Sequence, residues 1–201
     1  MPDMDGFTLI GQAVRNGNRL AVCLGCNGGR AEGAFNSGFD LSALPGAGWT
    51  RATLTTEADI AALGKSETVA VSLPCTPFGL AENEYTPARK LIEADAYFAL
   101  ATDCNPGTSW NESMQFAIAL ACRYMKLTPA QAIAAATINS AYAIRRADRV
   151  GSIEIGKQAD MLILSVSDYR QVGYRYGTNL VKQVIKKGRV YSVDVGYYRT
   201  A

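Results

Sequence analysis

Histidine is absent from this 201-residue sequence. Imidazole is the side chain that titrates closest to neutral pH, and it is the most common metal ligand in proteins. The chain therefore cannot use a histidine of its own for acid–base catalysis or for holding a metal ion. Any enzymatic hypothesis has to start from carboxylates, thiols, hydroxyls and backbone amides.

Three further features are missing, and each excludes a class of protein. No apolar run approaches the roughly 20 residues that a membrane-spanning helix needs. The N-terminus has no cationic start followed by an apolar core, so a secretory signal is not visible. The net charge is only +2 and no basic block stands out, which argues against a nucleic-acid partner. We therefore expect a cytoplasmic protein with neither a membrane nor a nucleic-acid partner.

The composition that remains is that of a globular protein, with 48% hydrophobic and 19% charged residues. The five cysteines are an odd number, which indicates reduced thiols. Cys23 and Cys26 have the spacing of a zinc or redox pair, but no second pair follows to complete a tetrahedral site. Cys104 is a candidate nucleophile, although the chain has no histidine to activate it. The structural interpretation of the thiols is therefore favoured.

Strand-like and helix-like segments alternate in the middle of the chain, which is the pattern of a parallel sheet or barrel. Thr68–Leu73 and Tyr97–Ala101 are predicted to be buried strands, and Cys75–Tyr85 is predicted to be a loop because it contains proline and glycine. Helices are predicted to begin at Thr55 or Thr56 and end at Gly64, and to cover Pro87–Ala94, Asn111–Met125, Pro129–Ala136 and Ile138–Ile144.

The pattern differs at both ends of the chain. Residues 1–50 are rich in glycine and asparagine, and only Leu20–Leu24 looks like a buried strand there. Beyond residue 150 the sequence predicts antiparallel β structure. A turn, a strand and a turn are predicted over Gly151–Asp160, a strand over Met161–Val166, and a hairpin around Lys187-Gly188. We therefore divide the chain into residues 1–50, 51–149 and 150–201.

Asp103 is the first candidate for a functional residue. It follows the apolar strand at Tyr97 and precedes the turn-rich segment Asn105-Pro106-Gly107-Thr108-Ser109. A carboxylate at this point lies at the carboxyl edge of a sheet, where α/β folds and β/α barrels place their chemistry. A second interpretation is that Asp103 caps the following turn.

Four segments resemble one family of enzymes. ALATDCNPGTS at Ala99–Ser109 and ACRYMKLTPAQAIAAATINSAYAI at Ala121–Ile144 are similar to the imidazolonepropionases. So are GSIEIGKQADMLIL at Gly151–Leu164 and VKQVIKKGRVY at Val181–Tyr191. These enzymes are metal-dependent (β/α)8 barrels with an added small β-domain. The resemblance implies an α/β fold: a partial TIM-type barrel containing the last βα units, followed by strands of a small β-sandwich domain.

The resemblance also implies a reaction and a set of site residues. The family hydrolyses 4-imidazolone-5-propanoate to N-formimidoyl-L-glutamate in histidine catabolism, using zinc or iron. Asp103 matches the carboxylate that ligates the metal and can take a proton from the attacking water. Asn105 and Gly107 match residues that hold the glutamate-like end, and Thr108 matches a residue that contacts the substrate. An amide, a free glycine N–H and a hydroxyl would be convergent donors for a carboxylate.

The sequence departs from the family at its N-terminal end. Family members take further metal ligands from histidines, and those of the middle strands should fall within residues 20–53, where this chain has none. A single carboxylate is not a catalytic zinc site, which normally has three protein ligands. We therefore interpret the chain as the C-terminal half of a family member. We hypothesise that residues 1 to about 50 come from a shifted reading frame or a misassigned start. A half barrel has an open sheet edge, so we expect poor solubility or self-association.

Two alternatives remain open at this point. One is a metal-free, non-catalytic relative that binds a small acidic ligand through the Asn105–Thr108 loop. The other is a different cyclic-amide or deaminating branch of the same superfamily, against which the NPGTS segment argues.

Overall fold

A parallel three-stranded sheet forms the first half of the architecture. The computed structural model describes residues 21–24 and 57–192. Strands β1 (Ala21–Leu24), β2 (Val69–Ser72) and β3 (Tyr97–Leu100) pair in the order β1-β2-β3. Val69 is opposite Tyr97 and Ser72 is opposite Leu100. Because β2 and β3 run parallel and end at the same level, the loops that follow them start side by side.

Short helices connect the strands and cover one face of this sheet. Before and after β2 lie α1 (Glu57–Gly64), α2 (Cys75–Gly79) and α3 (Ala88–Glu93). Three helices follow β3: α4 (Met114–Arg123), α5 (Pro129–Ala136) and α6 (Ile138–Ala143). The alternation of strands and helices along the chain was predicted from the sequence, and within the described residues it is confirmed.

The cap residues explain where two of these helices begin. The Ser113 side chain accepts a hydrogen bond from the Phe116 N–H at the start of α4. The Thr128 hydroxyl accepts from the Gln131 N–H, and the Gln131 side chain accepts from the Thr128 N–H, which makes a complete capping box. Pro129 is at the first helical position, as the sequence predicts.

The main hydrophobic core lies between the parallel sheet and its helices. Ala70 from β2 and Phe98 and Leu100 from β3 share one face, since the register pairs residue 70 with 98 and 72 with 100. They pack against fully or almost fully buried residues of the helices and of the later chain, namely Leu91, Ile118, Ala121, Ala132, Ala135 and Leu180. Small alanines on α4 and α5 allow these helices to approach closely.

An antiparallel three-stranded sheet follows. It consists of β4 (Met161–Leu164), β5 (Val181–Lys186) and β6 (Arg189–Ser192) in that order. The short helix α7 (Gln171–Tyr174) lies between β4 and β5. Lys187 and Gly188 both have positive φ angles, of 50° and 75°, as a two-residue hairpin turn of type I′ requires. The predicted hairpin is confirmed.

Hydrogen bonds join the antiparallel part to helix α4. The Gln115 side chain accepts from the Leu180 N–H at 3.1 Å and donates to Asn179 Oδ1 at 2.9 Å. Leu180 itself is fully buried in the main core. The segment that enters β5 is therefore held on the helical layer by both polar and apolar contacts.

Two local predictions were wrong. Cys75–Gly79 is helical, although the sequence predicted a loop from Cys75 to Tyr85. No strand forms between Gly151 and Asp160, where Ile153 and Ile155 are exposed and the backbone turns at Gly151 and Gly156 with φ angles of 99° and 89°. The remainder of residues 1–50, apart from β1, lies outside the described residues. Within the described part of the chain, no helix is long and apolar enough to cross a membrane.

Candidate active site

Asp103 lies just beyond the carboxyl end of β3, where the sequence placed it. Its φ angle is 52°, in the left-handed region that few residues other than glycine adopt, although aspartate and asparagine tolerate it better than most. The side chain is neither fully buried nor fully exposed. The carboxylate is thus held at the edge of the sheet by a backbone conformation that turns the chain sharply out of the strand.

The Asp103 carboxylate is bound by a residue from the neighbouring strand's loop. The Thr76 hydroxyl donates to Asp103 Oδ2 at 2.7 Å. Thr76 belongs to α2, four residues past the end of β2, and its own side chain is 1% exposed. No donor in the described part of the chain bonds the other oxygen, Asp103 Oδ1. One carboxylate oxygen is therefore fixed, and the other is left to accept a proton or to bind a cation.

The loop after Asp103 is organised by the side chain of Asn105. Asn105 Nδ2 donates to the Asp103 carbonyl at 2.7 Å. Asn105 Oδ1 accepts from the Gly107 and Thr108 N–H groups, both at 2.9 Å. The Asn105 N–H donates to the Ser109 carbonyl at 2.9 Å, which closes the loop. Asp103, Asn105, Gly107 and Thr108, the four residues singled out from the sequence, thus lie together in one compact turn.

The donors of this loop do not converge on an external ligand in this conformation. The Gly107 N–H, which was predicted from the sequence to be a free donor, donates to Asn105 Oδ1. The Thr108 hydroxyl also lies at 3.2 Å from Asn105 Oδ1. Binding of a carboxylate by these groups would require the Asn105 side chain to give up bonds that it now makes within the loop.

A buried thiol lies next to the carboxylate. Cys75 is 2% exposed, and its Sγ accepts from Asn111 Nδ2 at 3.0 Å. Burial raises the pKa of Cys75 to about 11, the Asn111 hydrogen bond opposes the shift, and the negative charge of Asp103 adds to it. Cys75 is therefore a neutral thiol at physiological pH. Cys104, adjacent in sequence to Asp103, is exposed.

The sequence analysis missed every contact that α2 makes with this loop. Cys75, Thr76 and Gly79 lie in the segment that was predicted to be a loop because it contains proline and glycine. The rule that identified Asp103, a polar residue just past the carboxyl end of a buried strand, applies equally to Thr76 after β2. Applied to both strands, this rule would have paired the two residues.

The described residues do not make a metal site on their own. Within residues 57–192, no group of three histidine, cysteine, aspartate or glutamate side chains lies close enough to hold a metal ion. Asp103 offers one ligand, and Cys75, which lies close to it, is a protonated thiol. Catalytic zinc sites normally use three protein ligands. The donor set therefore does not fit a bound metal without residues from elsewhere.

Comparisons with known proteins identify relatives over most of the described chain. The sequence profile of the amidohydrolase family matches residues 46–191. Imidazolonepropionase of Herpetosiphon aurantiacus is 62% identical over 131 residues, which are 65% of this chain and 31% of that protein. The imidazolonepropionases of Treponema denticola and Porphyromonas gingivalis are 51% and 48% identical, over 65% and 67% of this chain and 32% and 31% of their own lengths. The chain thus spans about a third of the length of these curated relatives.

Solved structures of related enzymes are similar to this chain in fold. An adenosine deaminase from Xanthomonas campestris, with bound zinc, is similar with a TM-score of 0.60 and 28% identity, over 69% of this chain and 35% of that one. An amidohydrolase from Thermotoga maritima is similar with a TM-score of 0.59 and 21% identity, over 93% of this chain and 40% of that one. The second match supports the fold alone.

Proposed function

The chain belongs to the amidohydrolase family, whose fold is of the TIM-barrel type, and we propose that it is the C-terminal part of an imidazolonepropionase. The reaction would be the hydrolysis of 4-imidazolone-5-propanoate to N-formimidoyl-L-glutamate. The observation that carries this proposal is the Asp103 carboxylate at the carboxyl end of β3, held by Thr76 and followed by the Asn105–Ser109 turn. The 62% identity to an imidazolonepropionase over 131 residues supports it.

Asp103 has the chemistry that this reaction needs. Water adds to the ring carbonyl carbon, the bond between that carbon and the ring nitrogen breaks, and one proton of the water ends on the nitrogen. A carboxylate with one free oxygen can take the proton from the water and deliver it to the nitrogen. Thr76 holds Oδ2 in place, so that Oδ1 is the atom available for the transfer.

Asn105, Gly107 and Thr108 would bind the substrate. Their N–H and hydroxyl groups are the donors that a propanoate carboxylate requires. The Gly107 and Thr108 N–H groups now donate to Asn105 Oδ1, each at 2.9 Å. We propose that the substrate carboxylate replaces Asn105 Oδ1 as their acceptor. The Asn105 amide would then be free to turn its own N–H groups to the ligand.

A metal ion is expected from the family, and zinc is bound in one structural relative. We propose Asp103 as the contribution of this chain to such a site. No histidine occurs in the 201 residues, so any histidine ligands would come from residues outside this sequence. Whether zinc or iron is used would depend on those additional ligands.

The proposed function also implies how the chain is divided into domains. Residues 51–149 would be the last βα units of a (β/α)8 barrel, and residues 150–201 would contribute strands to a small β-domain. The parallel sheet with its helices, followed by an antiparallel sheet, supports this division. Catalysis would then need the remaining barrel strands from residues outside this sequence.

A chimeric enzyme tests the proposed function. The 131 matched residues of the Herpetosiphon imidazolonepropionase are replaced by those of this chain, so that the parent supplies the rest of the site. We expect the chimera to open 4-imidazolone-5-propanoate at a rate within about tenfold of the parent. A chimera that folds, holds the parent's metal content and leaves the substrate intact would refute the proposal.

A metal-free binding protein is the second candidate, because the described residues contain no cluster of metal ligands. Calorimetry of the 201-residue chain with N-formimidoyl-L-glutamate, in the presence of a chelator, separates the two functions. Binding that persists without metal and is lost in Gly107→Pro, which removes one donor, favours the binding protein. Absence of binding together with an active chimera favours the enzyme.

A further inference from the structure

Helix α2 supports the candidate site at three separate points. The Thr76 hydroxyl bonds Asp103 Oδ2, and Cys75 Sγ accepts from Asn111, which follows the loop. At Gly79 the loop comes so close that an added Cβ would lie 2.3 Å from the Thr108 carbonyl oxygen. No side chain larger than hydrogen fits there without moving the backbone. Helix α2 therefore contacts the 103–111 segment at Asp103, Thr108 and Asn111.

The register of the sheet explains why Thr76 reaches Asp103. Ser72 and Leu100 are paired at the ends of β2 and β3, so the residues that follow both strands emerge at neighbouring positions. Helix α2 starts directly after β2, with Pro74 at its N-cap, and this fixes the position of Thr76. The hydroxyl sits 27 positions away from Asp103 in sequence but within hydrogen-bond distance of it.

The bond restricts a side chain that would otherwise rotate. Asp103 has a left-handed backbone conformation, is only partly buried, and makes no other side-chain hydrogen bond in the described part of the chain. A carboxylate at the surface samples several rotamers unless a partner selects one. The Thr76 hydroxyl is 1% exposed, so water cannot easily replace Asp103 as its partner. The pair therefore holds the carboxylate in a single orientation.

We infer that Thr76 is a positioning residue for the reaction: its hydroxyl holds Asp103 Oδ2 so that Oδ1 faces the substrate. This inference rests on the proposed function, because it assigns Thr76 a role in presenting the reactive carboxylate. Thr76 does not touch the reacting atoms. Its effect is on the orientation of Asp103, and misplacing such a group by a fraction of an ångström lowers the rate of the chemical step.

A purely structural role makes a different prediction. In that case the bond only satisfies a buried hydroxyl, and replacing Thr76 by an isosteric apolar residue would change stability without changing the orientation of Asp103. Thr86 is the matched control. It is 6% exposed, and its hydroxyl accepts from Ser72 Oγ at 2.9 Å, a partner outside the 103–111 segment.

The first experiment uses the 201-residue chain and does not depend on activity. The carboxyl ¹³C resonance of Asp103 is assigned by its loss in Asp103→Asn and is then followed in Thr76→Val, Thr76→Ser and Thr86→Val. We expect Thr76→Val to shift this resonance and to raise the exchange rates of the Gly107 and Thr108 amides about tenfold. Thr76→Ser keeps the hydroxyl and should restore both values, and Thr86→Val should leave both unchanged. An unshifted Asp103 resonance in Thr76→Val overturns the inference, as does an equal shift in Thr86→Val.

A substitution of Asp103 tests the same hydrogen bond if Thr76→Val does not fold. In Asp103→Ala the Thr76 methyl resonance should move, because the hydroxyl loses its partner. The control Asp95→Ala changes another aspartate with a positive φ angle, 60°, and should leave the Thr76 resonance in place. If the Thr76 methyl resonance has the same chemical shift in Asp103→Ala as in the native chain, the inference is contradicted.

The second experiment places the same variants in the chimeric enzyme. Thr76→Val should lower kcat by about 10–100-fold, the range found when a hydrogen-bond partner of a metal-ligating residue is removed, with KM changed by less than about threefold. Thr76→Ser should recover most of kcat. If Thr76→Val keeps the full kcat in an active chimera, the inference fails and the proposed function stands. If the chimera itself is inactive, the proposed function fails, and the resonance of Asp103 still decides whether Thr76 positions it.

Discussion

The Asn105 side chain organises the loop that follows Asp103. Its amide bonds the Asp103 carbonyl and accepts from the N–H groups of Gly107 and Thr108. A short polar side chain that bonds its own backbone in this way organises a turn. The loop geometry around Asp103 therefore depends on Asn105 before any ligand is considered.

Removing the Asn105 amide should open this turn. Asn105→Ala leaves the Gly107 and Thr108 N–H groups without an internal acceptor, so we expect their amide exchange to accelerate about tenfold or more, which corresponds to about 1.4 kcal/mol. Asn179→Ala is the control. Asn179 Oδ1 accepts from the Val181 N–H and from Gln115 Nε2, so its bonds do not involve the loop at Asn105. Unchanged exchange at Gly107 in Asn105→Ala would show that the turn does not depend on Asn105.

At the scale of single elements, the cap of α5 is the clearest case in which sequence determines structure. Thr128 and Gln131 form both halves of a capping box at the start of Pro129–Ala136. Thr128→Ala should lower the free energy of unfolding by about 1 kcal/mol, because it leaves a helix N–H without a partner. Urea unfolding measures the difference, and Thr128→Ser should keep most of the stability. A Ser variant as unstable as the Ala variant would mean that the hydroxyl is not what caps the helix.

The β5–β6 hairpin depends on Asp160, which lies just before β4. Asp160 accepts from Lys186 Nζ at 2.6 Å, from the Lys187 N–H at 2.9 Å and from Gln158 Nε2 at 2.7 Å. These bonds, that from Lys186 foremost, lower the pKa of Asp160 to about 2. The bond from the Lys187 N–H fixes the turn between β5 and β6 against the residue that precedes β4.

This lowered pKa predicts a pH dependence with a definite sign. The unfolded chain binds a proton at Asp160 near pH 4, and the folded chain only near pH 2. The contribution of the ionised carboxylate is therefore complete above about pH 4 and is lost as the pH falls towards 2. Urea unfolding from pH 6 to pH 2 should show a smaller acid loss of stability in Asp160→Asn than in the native chain.

Asp148→Asn is the matched control, because Asp148 is exposed and has no ion-pair partner among the described residues. The Lys186 pair is at the surface, so 1 M salt should reduce the difference between Asp160→Asn and the native chain. If the pH profiles of Asp160→Asn and the native chain coincide, Asp160 does not stabilise the fold through its charge.

Particular residues show how far the sequence predicts the fold and where it fails. Helix α5 and the hairpin at Lys187-Gly188 were predicted because local signals, a Thr-Pro start and a turn pair, determine them. Helix α2 was missed because its CTPFG sequence contains proline and glycine. Tertiary contacts stabilise it: the Thr76 hydroxyl bonds Asp103, and the Phe78 and Phe116 rings pack in a T-shaped arrangement with their centroids 5.0 Å apart. The position of Asp103 followed from the strand that precedes it, but its partner came from a residue far away in sequence.

The prediction of a strand at Ile153 and Ile155 was wrong because no strand among the described residues pairs with this segment. Alternating β-branched residues favour a strand, but a strand needs a neighbour to pair with. In the described part of the chain this segment has none, and both isoleucines are exposed. A local pattern therefore overestimated β structure where the tertiary context did not support it.

At the scale of the whole molecule, side chains of α6 cover the β3 edge of the parallel sheet. The Phe98 and Leu100 carbonyls, which point away from β2, accept hydrogen bonds from Asn139 Nδ2 and Ser140 Oγ of α6, both at 2.8 Å. Side chains thus satisfy acceptors at the β3 edge that a further strand would otherwise use. Association through this edge would require α6 to move.

We still predict that the isolated chain associates. In a half barrel, the sheet edge that a closed barrel would pair with a further strand favours association. Light scattering during size-exclusion chromatography should give a mass that rises with protein concentration. A monomer at all concentrations that also melts cooperatively would contradict this prediction. In the chimera, where the parent supplies the other strands, the association should disappear.

The turnover of the chimeric enzyme with Asp103→Asn tests the central claim most directly. Asparagine has the same shape and tolerates the left-handed backbone of residue 103, but it cannot accept the proton from water. We expect a kcat at least about 100-fold lower than that of the unsubstituted chimera. Asp95→Asn, which changes another aspartate with a left-handed backbone conformation, should stay within about twofold. An Asp103→Asn chimera that opens 4-imidazolone-5-propanoate as fast as its parent would show that Asp103 is not the reactive carboxylate.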